Sequence, residues 1–283
     1  MRFKCIILVI SVLFSLTSFA QKKEKDRSGF TYGFGVGACM ASGKNALFYN
    51  GADDKPNAVN NILGNSVVPY GSSSESTQSQ IYNVLKDSII GIQYPSKMTY
   101  NPAVTLQGYL GYIFEDKNSV YAQIKYSKLS TNGTFSIELA SPDTTKFNSS
   151  EHRIVEGGLK ASENRVDIEF GYHILLDKVN PRKPFIEIFG NINSVSVKSD
   201  QMSITTANGN FTSSLIHYTL NTINTNQTQG GMGYGFGATL GIEGQVKENM
   251  YYHLGLQASL KTIHLLDNPE LTPHFDLFAR ILL

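Results

Sequence analysis

The sequence predicts an all-β fold, an eight-stranded antiparallel up-and-down transmembrane β-barrel with long extracellular loops. Three observations carry that expectation. Apolar and polar residues alternate with period two through several long runs, the pattern of a strand with two different faces. The runs are joined by short charged turns in alternation with long polar loops. After the N-terminal segment no stretch approaches 18 consecutive apolar residues, so a chain of this kind crosses a membrane only as a closed barrel.

The N-terminus reads as a cleaved signal peptide over residues 1–20. Arg2 and Lys4 precede an apolar stretch from Cys5 to Leu16, and Thr17-Ser18-Phe19-Ala20 supplies small residues before Gln21. That stretch is short for a helical span of about 20 residues. Residues 21–283 then form one outer-membrane barrel domain, with both termini periplasmic. A mean hydropathy of −0.16 fits a chain that hides its apolar residues at every second position. In the mature chain Cys39 is the single cysteine, which rules out an intrachain disulfide and thiol-metal spacings. A net charge of +1 gives no electrostatic case for nucleic acid.

A first strand runs from about Gly29 to Ala41, with Phe30, Tyr32, Phe34 and Val36 on its apolar face and Gly33, Gly35 and Gly37 opposite. Residues Ser42–Lys97 form a long first loop rich in Asn, Ser, Gly and Asp, in which Ser79–Ile90 has helical periodicity with Ile81, Val84, Leu85 and Ser88 on one face. Loops of this length are uncommon and usually functional. In Thr99–Phe114 the even positions Val104, Leu106, Leu110, Tyr112 and Phe114 are apolar, and Asn101, Thr105, Gln107 and Tyr109 lie between them. After the turn Glu115–Asn118, Val120, Ala122, Ile124 and Tyr126 alternate with Gln123, Lys125 and Ser127. The phase then slips near Asn132-Gly133, as at a β-bulge, before Phe135, Ile137 and Leu139 continue.

Beyond a second tip at Ser141–His152, Val166, Ile168, Phe170 and Tyr172 oppose Arg165, Asp167, Glu169 and His173. A turn at Asp177–Lys183 leads to Ile186, Ile188 and Ile192 against Glu187, Phe189 and Asn191, and Asn208-Gly209-Asn210 makes a hairpin tip. Met232–Val246 alternates Tyr234, Phe236 and Leu240 with glycines, Thr239 and Glu243. After Lys247–Asn249, Tyr252, Leu254 and Leu256 oppose His253, Gln257 and Lys261. A last hairpin at Asp267–Pro273 precedes Phe275, Leu277, Ala279, Ile281 and Leu283. The strands flanking the two middle loops run to about 20 residues, about twice what a bilayer needs, so their outer halves stand above the membrane. A soluble β-sandwich or lipocalin-like barrel also alternates; Tyr112, Phe114, Tyr121, Tyr172, Phe185, Tyr251 and Tyr252 crowd the tight turns as an interfacial girdle does, which favours the membrane barrel.

The inward faces collect Lys125, Arg165, Asp167, Glu169, Glu187, Glu243, Lys261, Asp276 and Arg280. An eight-stranded barrel is just wide enough for side chains to fill, and buried charges there must pair. The glycine faces make room for Tyr109, Phe189 and the arginines, so a plugged interior is expected in preference to a gated ion path. The histidines are scattered, and neither Gly-x-Ser-x-Gly nor HExxH is present, so no catalytic residue and no cofactor is assigned. Asp53-Asp54 lacks calcium-loop spacing, and no metal site is expected. The first loop carries Leu47, Phe48, Tyr49, Val67, Val68, Tyr70 and Tyr82, aromatic and apolar residues of the kind enriched at binding surfaces; they form a recognition element or pack together as a lid.

The ending Ser-Phe-Ala before Gln21, the Asp-Lys and Lys-Glu turns, Tyr-Gly-Phe-Gly at 32–35 and 234–237 and the alternating last strand resemble the OmpA-like and PorT-like outer-membrane barrels of Bacteroidota. The chain departs from that pattern in ending on Leu283 instead of an aromatic residue and in its long first loop. The resemblance implies a range of roles, from structural to accessory of a secretion or gliding apparatus. The function expected is a non-enzymatic barrel whose loops bind a surface ligand or envelope partner. The alternatives are the secretion accessory and a lipid A-modifying enzyme. The partners expected are outer-membrane lipid and an envelope or secretion-machinery protein.

Overall fold

The computed structural model describes residues 28–53, 57–63, 74–114, 118–142, 152–177, 181–216, 229–247, 250–265 and 269–283. Its strands in chain order are β1 (Gly29–Met40), β2 (Ile89–Gln93), β3 (Ala103–Ile113), β4 (Ser119–Pro142), β5 (His152–Leu175), β6 (Arg182–Thr206), β7 (Gly209–Ser214), β8 (Met232–Lys247), β9 (Met250–Thr262) and β10 (Leu271–Leu282). Eight of them close an antiparallel ring in which β1 pairs with β3 and β10, and β4 with β3 and β5. The ring continues through β6, β8 and β9 back to β10. Two short strands stand outside it at the loop end, β2 on the upper part of β4 and β7 on the upper part of β6. The start of β1 at Gly29 and the end of the chain at Leu283 lie at the same end of the ring, where Tyr32 and Leu283 exchange backbone hydrogen bonds.

The wall of the ring fixes its surroundings. Phe30, Phe34, Val104, Leu110, Ile124, Phe170, Ile188, Phe236, Leu256 and Leu277 all point outward and are exposed, while Gln123, Lys125, Asp167, Glu169, Glu187 and Arg280 point inward and are buried. Water would penalise that arrangement; a bilayer demands it, since every backbone polar group of the closed ring is paired and only apolar side chains meet lipid. Among the described residues no helix is long and apolar enough to cross a membrane.

On β4 the expected bulge at Asn132-Gly133 is absent. The pairing with β5 runs unbroken from Ser119↔His173 to Glu138↔Ile154. What changes there is the environment. Odd positions face inward throughout, but up to Ser127 most are polar, as Gln123, Lys125 and Ser127 are, while beyond it Leu129, Phe135, Ile137 and Leu139 are apolar and buried, with Thr131 among them. Even positions reverse from Ile124 and Tyr126 to Lys128, Asn132 and Thr134. The strand leaves lipid and enters water, so its greasy side turns from the outside of the barrel to the inside. A register shift does occur at this height on β6, where Lys198 is the extra residue opposite Ser162 and Glu163 and the inward phase moves from Val197 to Asp200.

Above the ring, β2, β4, β5, β6 and β7 form a sheet around an apolar core that the first loop completes. The loop contributes short helices α1 (Gly43–Ala46) and α2 (Asn60–Leu63) and a longer α3 (Ser74–Leu85). The helix predicted over Ser79–Ile90 thus begins and ends earlier, and Ile90 belongs to β2. Ile81, Val84 and Leu85 face inward as the periodicity requires. Carbonyls in the last turn of α3 are capped from the sheet, Val84 by Thr206 Oγ1 (2.7 Å) and Leu85 by Arg153 Nη2 (2.6 Å). Lys86 then leaves the helix with φ 54°.

The aromatic girdle needs one correction. Tyr112, Phe114 and Tyr172 face outward near the tight turns, but Tyr121, Phe185 and Tyr251 are buried in the lumen. There Tyr109, Tyr121, Phe189, Tyr251 and Leu282 form an apolar cluster. Each ring needs width, and the opposing strand supplies it: Tyr121 faces Gly171, Phe185 faces Gly241, Phe189 faces Gly237 and Phe278 faces Gly255 in register. A methyl group at any of those glycines would lie 2.3–2.6 Å from the ring.

Candidate functional site

The nine interior charges expected from the sequence are all buried and paired, in a network around Arg280, a set nearer the loop end around Lys125 and Lys261, and, for Arg165, a separate node with Glu163. Arg280 is its centre. It donates through Nη2 to Glu187, through Nη1 to Gln123 (2.7 Å) and through Nε to His253 Nδ1 (3.1 Å), and its guanidinium sits 4.3 Å from the Tyr109 ring centroid. His253 and His173 stack at 5.1 Å and bind Glu243 (2.7 Å) and Glu187 (3.2 Å) respectively. Nearer the loop end Lys125 lies 3.0 Å from Glu169 and 3.4 Å from Asp276 and donates to Gln257, and Lys261 lies 2.9 Å from Asp167. Burying so many ions is tolerable only because each finds opposite charge or hydrogen-bond partners.

The donor atoms of His173, Glu187 and His253 lie within 4.8 Å of one another, close enough to suggest a metal. The chemistry of the set argues otherwise. The Arg280 guanidinium already contacts Glu187 and His253, so a cation is built into the cluster, and a divalent ion would meet that charge at contact distance.

A second closure sits at the boundary between ring and upper sheet. Glu163 on β5, fully buried, accepts from Tyr49 Oη (2.5 Å), Tyr100 Oη (3.1 Å) and Arg165 Nε (2.5 Å). Burial, reinforced by the Glu163 charge, holds both phenols well above their ordinary pKa, so both stay protonated donors. The alternation in the sequence does not single out Glu163, although it occupies the inward position next to Arg165 on β5. Around this node Ala46, Phe48, Tyr49, Met98, Leu129, Val195, Val197 and Ile263 form an apolar layer. A further layer above it packs Val59, Ile62, Ile81, Val84 and Leu85 of the first loop against Phe135, Ile137, Leu159, Met202 and Ile204.

Among its described residues the first loop is therefore largely a core element. Phe48 and Tyr49 are buried, Leu47 packs partly buried against the lower layer, and Tyr82 on α3 is exposed; Val67, Val68 and Tyr70 lie outside the described residues. Asp53 accepts a hydrogen bond from Tyr94 Oη (2.7 Å), and Asp54 lies outside the described residues. A third polar node ties the upper layer together: Asp200, fully buried at the phase shift of β6, accepts from Asn57 Nδ2 (2.6 Å), and Asn57 exchanges two hydrogen bonds of 3.1 Å with Gln229.

Of the histidines, His217 lies outside the described residues and His264 is partly exposed. The Thr272–His274 contact (3.1 Å) is buried, and its hydroxyl donates to the Lys261 carbonyl (3.1 Å). Asn45 Nδ2 donates to the same hydroxyl (2.9 Å), which ties the pair into a buried polar cluster at the loop end.

A closed antiparallel ring of eight strands with an apolar outer belt and a charged interior defines a transmembrane β-barrel, here extended by a cored β-module at its loop end. No protein-family model and no curated protein matches the chain. Among solved structures it is similar to Neisserial surface protein A, with 10% identity, a TM-score of 0.43 and coverage of 90% of this chain and 97% of that one. It is similar also to Ail, the attachment invasion locus protein of Yersinia pestis crystallised with the heparin analogue sucrose octasulfate, with 9% identity, a TM-score of 0.31 and coverage of 90% and 99%. These are distant likenesses of shape, and the fold assignment stands on the ring and its belt.

Proposed function

We propose that this chain is a non-enzymatic outer-membrane protein of the OmpA-like or PorT-like kind, in which a solute-tight barrel anchors a rigid extracellular module that binds a surface ligand or an envelope partner. The observation that carries the reading is the triple closure of the axis. The Arg280 network, the Glu163 node and the two apolar layers follow one another from the turn end to the loop end, which leaves the outer surface of the module as the place where other molecules are met. Export through a signal peptide over residues 1–20, periplasmic termini and an outward-facing loop end belong to the same reading; residues 1–27 lie outside the described part.

An epitope inserted at the β6–β7 tip, between Asn208 and Gly209, tests orientation and closure together with planar-bilayer recording. Antibody labelling of intact cells and a silent bilayer are expected. Labelling only after permeabilisation, or a large stable conductance, overturns the proposal.

A further inference from the structure

The lipid-facing wall is not uniform. On β3 and β4 two outward positions within the belt are small, Gly108 and Ala122, and around them stand Tyr32, Phe34, Ile124 and Ile168. The result is an almost wholly apolar groove of about 440 Å³ on the outside of the barrel. Large side chains cover most of the belt, so this is a place where a chain lies into the wall instead of along it.

Above the groove the same strands carry an unbalanced charge. Lys128 on β4, Lys160 on β5 and Lys198 at the β6 bulge all face outward and are exposed, and no ion pair to any of them is recorded among the described residues. Register places them together: Lys128 shares the level of Asn164, Lys160 lies four residues further along β5, and Lys198 stands opposite Ser162 and Glu163 between those levels. The outward residues among them are Ser130, Asn132, Ser162, Asn164 and Ser196, all uncharged. The next acid on this face of β5 is Glu156, four residues beyond Lys160, or about 13 Å along the strand. Elsewhere on the rim Lys44 pairs with Glu270 at 3.6 Å and Arg153 with Asp87 at 3.9 Å.

Groove and lysines have the spacing of one ligand. Ile124 and Lys128 are four residues apart, about 13 Å along β4, which a strand tilt of about 40° reduces to about 10 Å of depth. Half the hydrocarbon core is about 15 Å thick. The groove thus lies in the leaflet on the loop side, between its headgroups and the bilayer midplane, beneath a basic cluster that begins at headgroup height with Lys128 and extends about 10 Å further out to Lys160. We propose that this wall is a binding site for a phosphorylated lipid of that leaflet, with its phosphate on Lys128, Lys160 and Lys198 and an acyl chain in the Gly108–Ala122 groove. Both parts are needed: the lysines alone would hold any anion, and the groove alone any chain.

The inference rests on the membrane-spanning barrel, which heat-modifiable gel migration checks separately. The test reconstitutes full-length protein in phosphatidylcholine vesicles containing either bisphosphorylated lipid A or the same lipid with its phosphates removed. Lipid that stays bound after extraction into mild detergent is then counted by native mass spectrometry. The parent protein should retain the phosphorylated form at least about tenfold better, since lysines near the membrane surface attract lipid phosphates. The triple variant Lys128→Gln, Lys160→Gln, Lys198→Gln should lose that preference. The double variant Gly108→Leu, Ala122→Leu should lose retention of both forms, while each variant keeps heat-modifiable migration. Equal retention of the two lipids by the parent protein, which needs no variant to fold, overturns the proposal. So does a folded triple variant that retains phosphorylated lipid A like the parent, or retention of phosphorylated lipid A by the parent that excess inorganic phosphate and high salt reduce no more than they reduce retention of the dephosphorylated form.

Discussion

Asn57, in the first loop, donates a 2.6 Å hydrogen bond to the carboxylate of Asp200 on β6, 143 residues away, and no cation joins them among the described residues. Burial without a counter-charge pushes the Asp200 carboxyl from 3.8 up to about 7, against the opposing pull of the Asn57 hydrogen bond. The folded module therefore holds this proton more tightly than the unfolded chain does. Below the ordinary value both states are protonated and nothing is lost; between about 4 and 7 the unfolded chain ionises first and stability falls; above 7 the full penalty applies. Asp200→Asn should remove this pH dependence and raise stability at pH 8 by about 2–4 kcal/mol. Thermal unfolding of the module at pH 5 and pH 8 checks it, and an unchanged difference between the two pH values refutes it.

The Glu163 node gives a prediction about how the first loop is held. Tyr49→Phe and Tyr100→Phe each remove one donor from a buried carboxylate, at a cost of about 1–3 kcal/mol. The double variant should depart from the sum, because both donors share one acceptor. Limited proteolysis should cut the loop near Leu47–Gly51 before the barrel strands. Unaltered protease resistance in the double variant would show that the apolar layer alone fastens the loop.

Removing Arg280 should be costly in a way that removing a surface charge is not. Arg280→Ala leaves Glu187 buried beside two imidazoles, a loss of about 3–5 kcal/mol, read as a lower temperature for the loss of heat-modifiable migration. The parent barrel should stay silent in planar bilayers, and Arg280→Ala should still lack a large stable conductance because the Glu163 node and the apolar layers remain. A pore in that variant would locate the closure in the lower network alone.

Phe135 lies across Gly157 on the neighbouring strand, and a methyl group there would come within 2.2 Å of the ring. The ring is buried in the upper layer and has nowhere to turn. Gly157→Ala should destabilise the module by about 1–3 kcal/mol through overpacking, while Gly158→Ala, which meets only the Ser203 hydroxyl at 2.9 Å, should cost less. Melting temperatures of the two variants decide it.

The ring was legible because lipid enforces strict alternation: from Phe30 to Ile281 every outward position that meets the belt had to be apolar or small. The interior charges were legible for the same reason, as the complementary phase. The upper module was harder to read. Once β4 passes Ser127 the phase reverses its meaning, so a continuous strand imitates a bulge at Asn132, and the true bulge at Lys198 sits in a polar run where alternation is weak. Glu163 and Asp200 look like surface residues in such a run. The partners of Tyr49 and Asn57 lie 114 and 143 residues away, a pairing no local pattern reports. Tyr121, Phe185 and Tyr251 sit near the turns whether they face lipid or lumen, so only register assigns them.

The reversal of polarity along β4 and β5 acts as a ruler written into the chain. Tyr126 and Val166 must stay in oil and Lys128 and Asn132 in water, while Leu129 and Phe135 are committed to a dry interior, so the barrel has one height at which both halves are satisfied. Sliding it by two residues, about 6–7 Å, would drown one set of side chains and strand the other. The protein thus registers the position of the membrane surface to within a residue pair, and a bilayer of different thickness must adapt to the barrel instead of the barrel to it.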